Sequence, residues 1–173
     1  MPVFEVQGFE ADDLIGALAR QAAEQGIDTI IVTGDTDMLQ LVCDRTRVLL
    51  PRPQKAFSDT QLYDQAAVEE RYHLTPAQLP DLKGLKGDPS DNIPGVPGIG
   101  EKTAQRLLHL FDTIDTIYQR IDEVNPPKIQ AILRAHEDAA RQSRKLATIE
   151  TRAPVHLDLT ACRLGGFNSQ QIT

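Results

Sequence analysis

The chain has 173 residues, 40% of them hydrophobic and 5% aromatic with no tryptophan, which suffices for one aliphatic core and a small appended subdomain. No apolar run approaches the ~20 residues of a membrane span, and the opening MPVFEVQGFEADD lacks the basic and apolar stretches of a secretion signal. The net charge of −7 speaks against a polyanion ligand at face value. That objection lapses if the acids are metal ligands, because bound cations reverse the local potential.

Residues 11–25 carry Leu14, Ile15, Leu18, Ala19 and Ala22 as a helical stripe, closed by Gly26. Residues 29–33, TIIVT, read as a strand buried on both faces. A helix start at residues 37–42 and a short strand at Val48-Leu49-Leu50, bounded by Pro51 and Pro53, follow. Alternation of helix and strand predicts an α/β region with a mostly parallel sheet covered by helices. Residues 65–72 read as a helix. Thr75 and Pro76 supply an N-cap and a first helical position for another, running towards Leu85. After a glycine- and proline-rich segment at 87–100, helical spacing is predicted over 101–111, 113–121 and 128–147, with Pro126 and Pro127 between the last two. Residues 155–159 alternate like a strand returning to the sheet edge, and the final GGFNSQQIT reads as a cut end. Cys43 and Cys162 have no metal-ligand spacing and suit a reducing, cytoplasmic compartment. His73, His109, His136 and His156 show no ligand pairing and read as ordinary surface or boundary residues.

Three acidic clusters sit at element boundaries. Glu10, Asp12 and Asp13 open the first helix, where acids also serve simply to compensate the helix dipole. Asp35 and Asp37 follow a strand, the end at which open α/β sheets bind ligands, although Gly34-Asp35 is also ordinary turn chemistry. Asp88 and Asp91 lie in GDPSDN, where capping a loop is the competing role. All-oxygen ligands without His or Cys point to Mg²⁺ or Mn²⁺. Two such ions can activate water and stabilise the leaving oxygen of a phosphodiester.

The segment PGVPGIGEKTAQRLL is the most specific feature. Gly98 and Gly100 flank Ile99, which anchors the turn, and permit a tight turn with close backbone approach. A helix begins straight after, so its free N–H groups with Lys102 and Thr103 form a phosphate cradle. This is the pattern of a helix-hairpin-helix, which holds a DNA backbone without reading bases. A plain inter-helix loop explains the Gly and Pro residues but not Gly-Ile-Gly followed at once by Glu-Lys-Thr-Ala.

Together GFEADD, TGDTDMLQL and LKGDPSDNIPGVPGIGEKTA, with RKLATIETRAPVHLDL near the end, resemble the 5′ nuclease (5′-3′ exonuclease) domain of bacterial DNA polymerases I, within the wider flap endonuclease family. The resemblance covers almost the whole chain. It implies a PIN-like sheet flanked by helices, here residues 1–60 and 150–165, and a helical DNA-binding subdomain, residues 61–149, with the helix-hairpin-helix at about 88–111. It implies Glu10 and Asp12 as ligands of a first metal with Asp13 beside them, and Asp35, Asp37 and Asp91 as ligands of a second with Asp88 in support. It assigns DNA contacts, and K⁺ held through backbone carbonyls, to Gly95, Val96, Gly98, Ile99 and Gly100; many relatives carry Ser at the position of Gly95.

The resemblance implies cleavage of flapped, nicked or 5′-ended DNA during primer removal and repair, by a monomer in the bacterial cytoplasm at the nucleoid, with a polymerase domain in the same polypeptide. The family's first two strand aspartates and its basic helical arch have no match in these residues. The chain therefore reads as a fragment with little cutting of its own. Two rivals remain at this point: a DNA-structure binder that uses the hairpin without catalysis, and a phosphatase of the haloacid dehalogenase type. The latter would use Asp35, Asp37, Asp88 and Asp91 but leaves GFEADD and the hairpin unexplained, and has Leu39 where Thr or Val is usual.

Overall fold

The computed structural model describes residues 2–52 and 59–163, and within them α1 (Ala11–Glu24) leads into a three-stranded sheet. β1 (Thr29–Val32) pairs in parallel with β2 (Thr46–Pro51), and β2 pairs antiparallel with β3 (Thr60–Tyr63). The α/β architecture is thus built on a small mixed sheet. β2 alternates inward Thr46, Val48 and Leu50 with more exposed neighbours, as a strand with one buried face must. Between β1 and β2 a 3-10 turn, Thr36–Leu41, drives Met38 and Leu39 fully into the core.

The helices that follow are α2 (Gln65–Tyr72), α3 (Leu79–Lys86), α4 (Glu101–Phe111), α5 (Ile114–Gln119), α6 (Pro127–Ala135) and α7 (Glu137–Ala147). One hydrophobic cluster runs from Val48 and Leu50 of the sheet through Leu82 and Leu85 of α3 to Leu107, Ile117 and Leu133 of the helical part. Sheet and helices therefore share a core. Asp81, only 6% exposed, ties three helices together: from α3 its carboxylate accepts the Ile114 N–H that opens α5, at 3.1 Å, and faces Arg144 of α7 at 3.5 Å. Burial raises the Asp81 pKa, against the pull of the Ile114 N–H and of Arg144. Removing the acceptor leaves a buried N–H unsatisfied, so Asp81→Ala is expected to lower unfolding free energy by about 1–3 kcal/mol in urea titrations. A change near zero would mean that this link is not used. No helix among the described residues is long and apolar enough to cross a membrane.

Several sequence expectations change. Residues 29–33 are not buried on both faces: Ile31 is buried, but Ile30 is 56% and Val32 75% exposed, because among the described residues α1 covers only one face of β1. The predicted helix over 128–147 is two helices, broken at His136, whose non-helical φ of −129° and ψ of 27° end α6 and start α7. Residues 155–159 form no strand. They lie against α1, where the Gln21 amide donates to the Val155 carbonyl at 2.7 Å and accepts the Leu157 N–H at 2.9 Å. The end drawn at 165, the final GGFNSQQIT and Pro53 lie outside the described residues.

Candidate metal centre

The N-terminus of α1, the turn after β1 and the connection after α3 converge on one open cleft. Glu10, Asp12, Asp13, Asp35, Asp37 and Asp91 line its volume of about 440 Å³, with Ile93 and residues 146–149 as the remaining wall. Asp88 stands beside them: Asp37, Asp88 and Asp91 offer carboxylate oxygens that all lie within 4.8 Å of one another. The seven acids singled out in sequence, drawn from three separate segments, thus share one neighbourhood.

Their local roles differ. Asp13 is committed to structure: one oxygen accepts the Glu10 N–H at 3.2 Å, and the other accepts the Glu150 N–H at 2.9 Å, clipping the chain after α7 onto α1. Asp35 caps the 3-10 turn by accepting the Asp37 N–H at 2.8 Å. In the same way Asp88 caps the turn Pro89–Asp91 through the Ser90 N–H at 3.1 Å. These caps fix the backbone from which the neighbouring carboxylates project.

Lys83 of α3 went unremarked in the sequence. Its ammonium lies among the three carboxylates, bonded to Asp37, 2.6 Å from Asp88 and 3.1 Å from Asp91. The available signal was a lysine one turn before the Gly87-Asp88 that ends the helix, but such a lysine ordinarily reads as a solvated face. Among the described residues no other Lys or Arg pairs with an acid of the cleft.

The electrostatics follow from this crowding. Burial pushes the Asp12 pKa up, and the charges of Asp35, Asp37, Glu10 and Asp13 push it further. Asp37 is raised too, first by burial and then by Asp35 and Asp91, against the pull of Lys83. At Asp88 burial is outweighed by hydrogen bonds from Lys83 and Ser90, which hold the carboxyl at about 2. Such a set of hard oxygen donors, already gathered around a cationic nitrogen, fits a Mg²⁺- or Mn²⁺-class ion.

The glycine turn sits between α3 and α4, so the helix that precedes it is α3; within 88–100 the only helical piece is the 3-10 turn Pro89–Asp91. Val96 and Ile99 are buried and pin it, with the Val96 N–H donating to the Leu85 carbonyl at 2.8 Å. Gly95, at φ +64°, approaches the backbone of Gly87 so closely that an added Cβ would lie 2.2 Å from the Gly87 nitrogen. Gly98 turns the chain at φ +85°. Gly100 needs neither freedom: its φ is −91° and nothing lies within 4 Å of an added Cβ. The close approach therefore belongs to Gly95, and Gly100 serves as N-cap of α4. Beyond it the N–H groups of Glu101 and Lys102 have no acceptor among the described residues, and the Lys102 side chain is exposed.

Comparison with known proteins agrees with this fold. Residues 1–73 match the family profile described as the 5′-3′ exonuclease N-terminal resolvase-like domain, and residues 74–170 match the 5′-3′ exonuclease C-terminal SAM fold. DNA polymerase I of Chloroflexus aurantiacus is 52% identical over 99% of this chain, and that of Bacillus subtilis (strain 168) is 44% identical over 98%. The chain spans 18% and 19% of those two proteins. Among solved structures, T5 5′-exonuclease with bound divalent zinc ions superimposes with a TM-score of 0.74 at 25% identity, covering 87% of this chain and 54% of that one. With both profiles matched in succession along these residues, the chain belongs to the 5′-3′ exonuclease family.

Proposed function

We propose that this chain serves as part of a structure-specific 5′ nuclease, hydrolysing DNA phosphodiester bonds at 5′ ends, nicks or flaps with Mg²⁺ or Mn²⁺. The observation that carries the reading is the convergence of acids from three segments on one cleft. The resemblance in sequence makes Asp35, Asp37 and Asp91 the ligands of one ion with Asp88 in support. The grouping of Asp37, Asp88 and Asp91 oxygens within 4.8 Å favours exchanging the parts of Asp35 and Asp88, and Glu10 and Asp12 would serve the second ion. When bound, such ions supply an activated water and stabilise the leaving oxygen. Asp13 positions Glu10 and Asp12 by fixing the start of α1. Residues 1–60 with 150–165 would form this catalytic part, and 61–149 the part that grips DNA.

The turn at Gly95, Val96, Gly98, Ile99 and Gly100 would hold K⁺ at its carbonyls. The open N–H groups of α4, with Lys102 and Thr103, would hold a phosphate. Because phosphate contacts carry no sequence information, Lys102→Ala is expected to weaken binding to all duplexes alike. It should also flatten the slope of log K against log salt by about 0.9. A loss confined to one sequence would contradict the assignment.

As in the polymerase relatives, a polymerase domain would follow in the same polypeptide, and the site would work as a monomer in the bacterial cytoplasm. A phosphatase would leave GFEADD and the glycine turn without a role, whereas the nuclease reading uses both. The test is a 5′-labelled flap duplex in excess Mn²⁺, given the chain alone and the chain with the preceding segment of a polymerase I relative. Mn²⁺-dependent short 5′ products, at least in the supplemented reaction, are expected. Binding without products in either reaction would favour the non-catalytic DNA binder.

A further inference from the structure

We propose that Lys83 is a tethered counter-cation, which occupies the Asp37–Asp88–Asp91 cluster until a divalent ion displaces it. The inference rests on the reading of that cluster as a metal site. The ammonium touches one oxygen of each carboxylate, bonded to Asp37, at 2.6 Å from Asp88 and at 3.1 Å from Asp91. A Mg²⁺-class ion lies about 2.1 Å from its oxygens, so the ion and the ammonium cannot share this space. One must leave.

The backbone cannot retreat, because α3 is anchored on both sides of Lys83 by the buried Leu82 and Leu85. The side chain can. Beside the cluster a cavity of about 90 Å³, lined among others by Thr36, Gln40, Tyr72 and Leu79, gives the four-carbon stem a place to turn. With no other cation paired to the cleft acids among the described residues, Lys83 keeps three carboxylates gathered in the metal-free chain. Metal binding is then an exchange of cations, and its apparent affinity is reduced by the fraction of time that the ammonium is out of the cluster.

Mn²⁺ titration of the chain, with free Mn²⁺ read by electron paramagnetic resonance, compares wild type with Lys83→Met. If the ammonium is out for less than about a tenth of the time, the variant binds Mn²⁺ about tenfold more tightly or better. Equal or weaker binding by the variant, with wild type binding normally, overturns the exchange alone. Failure of wild type to bind Mn²⁺ overturns the metal-site reading beneath it. A second readout needs no variant: acylation of Lys83 in the wild-type chain, followed by mass spectrometry with exposed Lys102 as reference. Lys83 should become several-fold more reactive when Mn²⁺ is added, because the carboxylates that shield its nitrogen and hold it charged are then taken by the ion. Unchanged or reduced reactivity contradicts the proposal.

Discussion

Asp37→Asn is expected to abolish flap cleavage in the reaction supplemented with the preceding segment of a polymerase I relative, by at least about 100-fold, while leaving the chain folded. Asp37, like Asp91, belongs to both halves of the centre: it lines the cleft with Glu10, Asp12 and Asp35, and its oxygen lies within 4.8 Å of those of Asp88 and Asp91, while it is also the carboxylate bonded to Lys83. Asn keeps the shape but removes a charge that the ion of the Asp37–Asp88–Asp91 cluster would need. The stability sign is opposite. The Asp37 pKa is raised in the folded chain, chiefly by burial, so the folded state binds that proton more tightly than the unfolded state does. Its ionised form therefore costs stability at neutral pH; the cost begins to decline as pH falls through the raised value and is gone only below the ordinary carboxylate range of the unfolded chain. In the metal-free chain Asp37→Asn should be neutral or stabilising at pH 7, with a smaller gain at pH 4. Thermal unfolding at the two values, beside the cleavage assay, checks both parts. An Asn variant that still cuts at wild-type rate, or one that fails to fold, would contradict this assignment.

Gly95→Ala is expected to be the most damaging single-methyl change in the turn, lowering unfolding free energy by about 2–5 kcal/mol. Left-handed backbone costs about 1–2 kcal/mol for a residue with a Cβ, and forcing a methyl into a packed place adds about 1–3 kcal/mol. The obstruction is backbone: the added carbon would stand 2.2 Å from the Gly87 nitrogen, 2.6 Å from its Cα and 2.7 Å from the Lys86 carbonyl carbon. Relief would have to move the end of α3, and with it Asp88 and the hydrogen bond from the Gly95 N–H to Ser143 at 3.0 Å. Gly100→Ala is the matched control, since space is open and φ is ordinary there. Urea unfolding should separate the pair by at least about 1 kcal/mol. Equal stabilities would show that the turn relaxes where the structure has it tight.

The sequence was most legible where local rules decide. α2 and α4 run over residues 65–72 and 101–111 as their apolar spacing predicts, and the acids sit at the element ends expected of them. What was hidden depends on distant partners. The break at His136 has neither Gly nor Pro to announce it, and α7 is defined by its packing on α3. β3 is only four residues long, and its identity comes from pairing with β2. Alternation at 155–159 imitated a strand, because apolar residues alternate as readily on an extended segment held by Gln21. In the centre, the bond from the Glu150 N–H to Asp13 spans 137 positions and has no local signal, and Lys83 went unremarked because only the packing of α3 against the turn after β1 brings it among the acids.

The central claim is that acids from three segments make one divalent-metal centre. Anomalous scattering from crystals soaked in Mn²⁺ tests it most directly. A peak bounded by the carboxylates of Asp37, Asp88 and Asp91, lost in Asp37→Asn crystals, is the predicted result. A bound ion elsewhere with none in this cleft, or a peak in the cleft that survives Asp37→Asn unchanged, would contradict it.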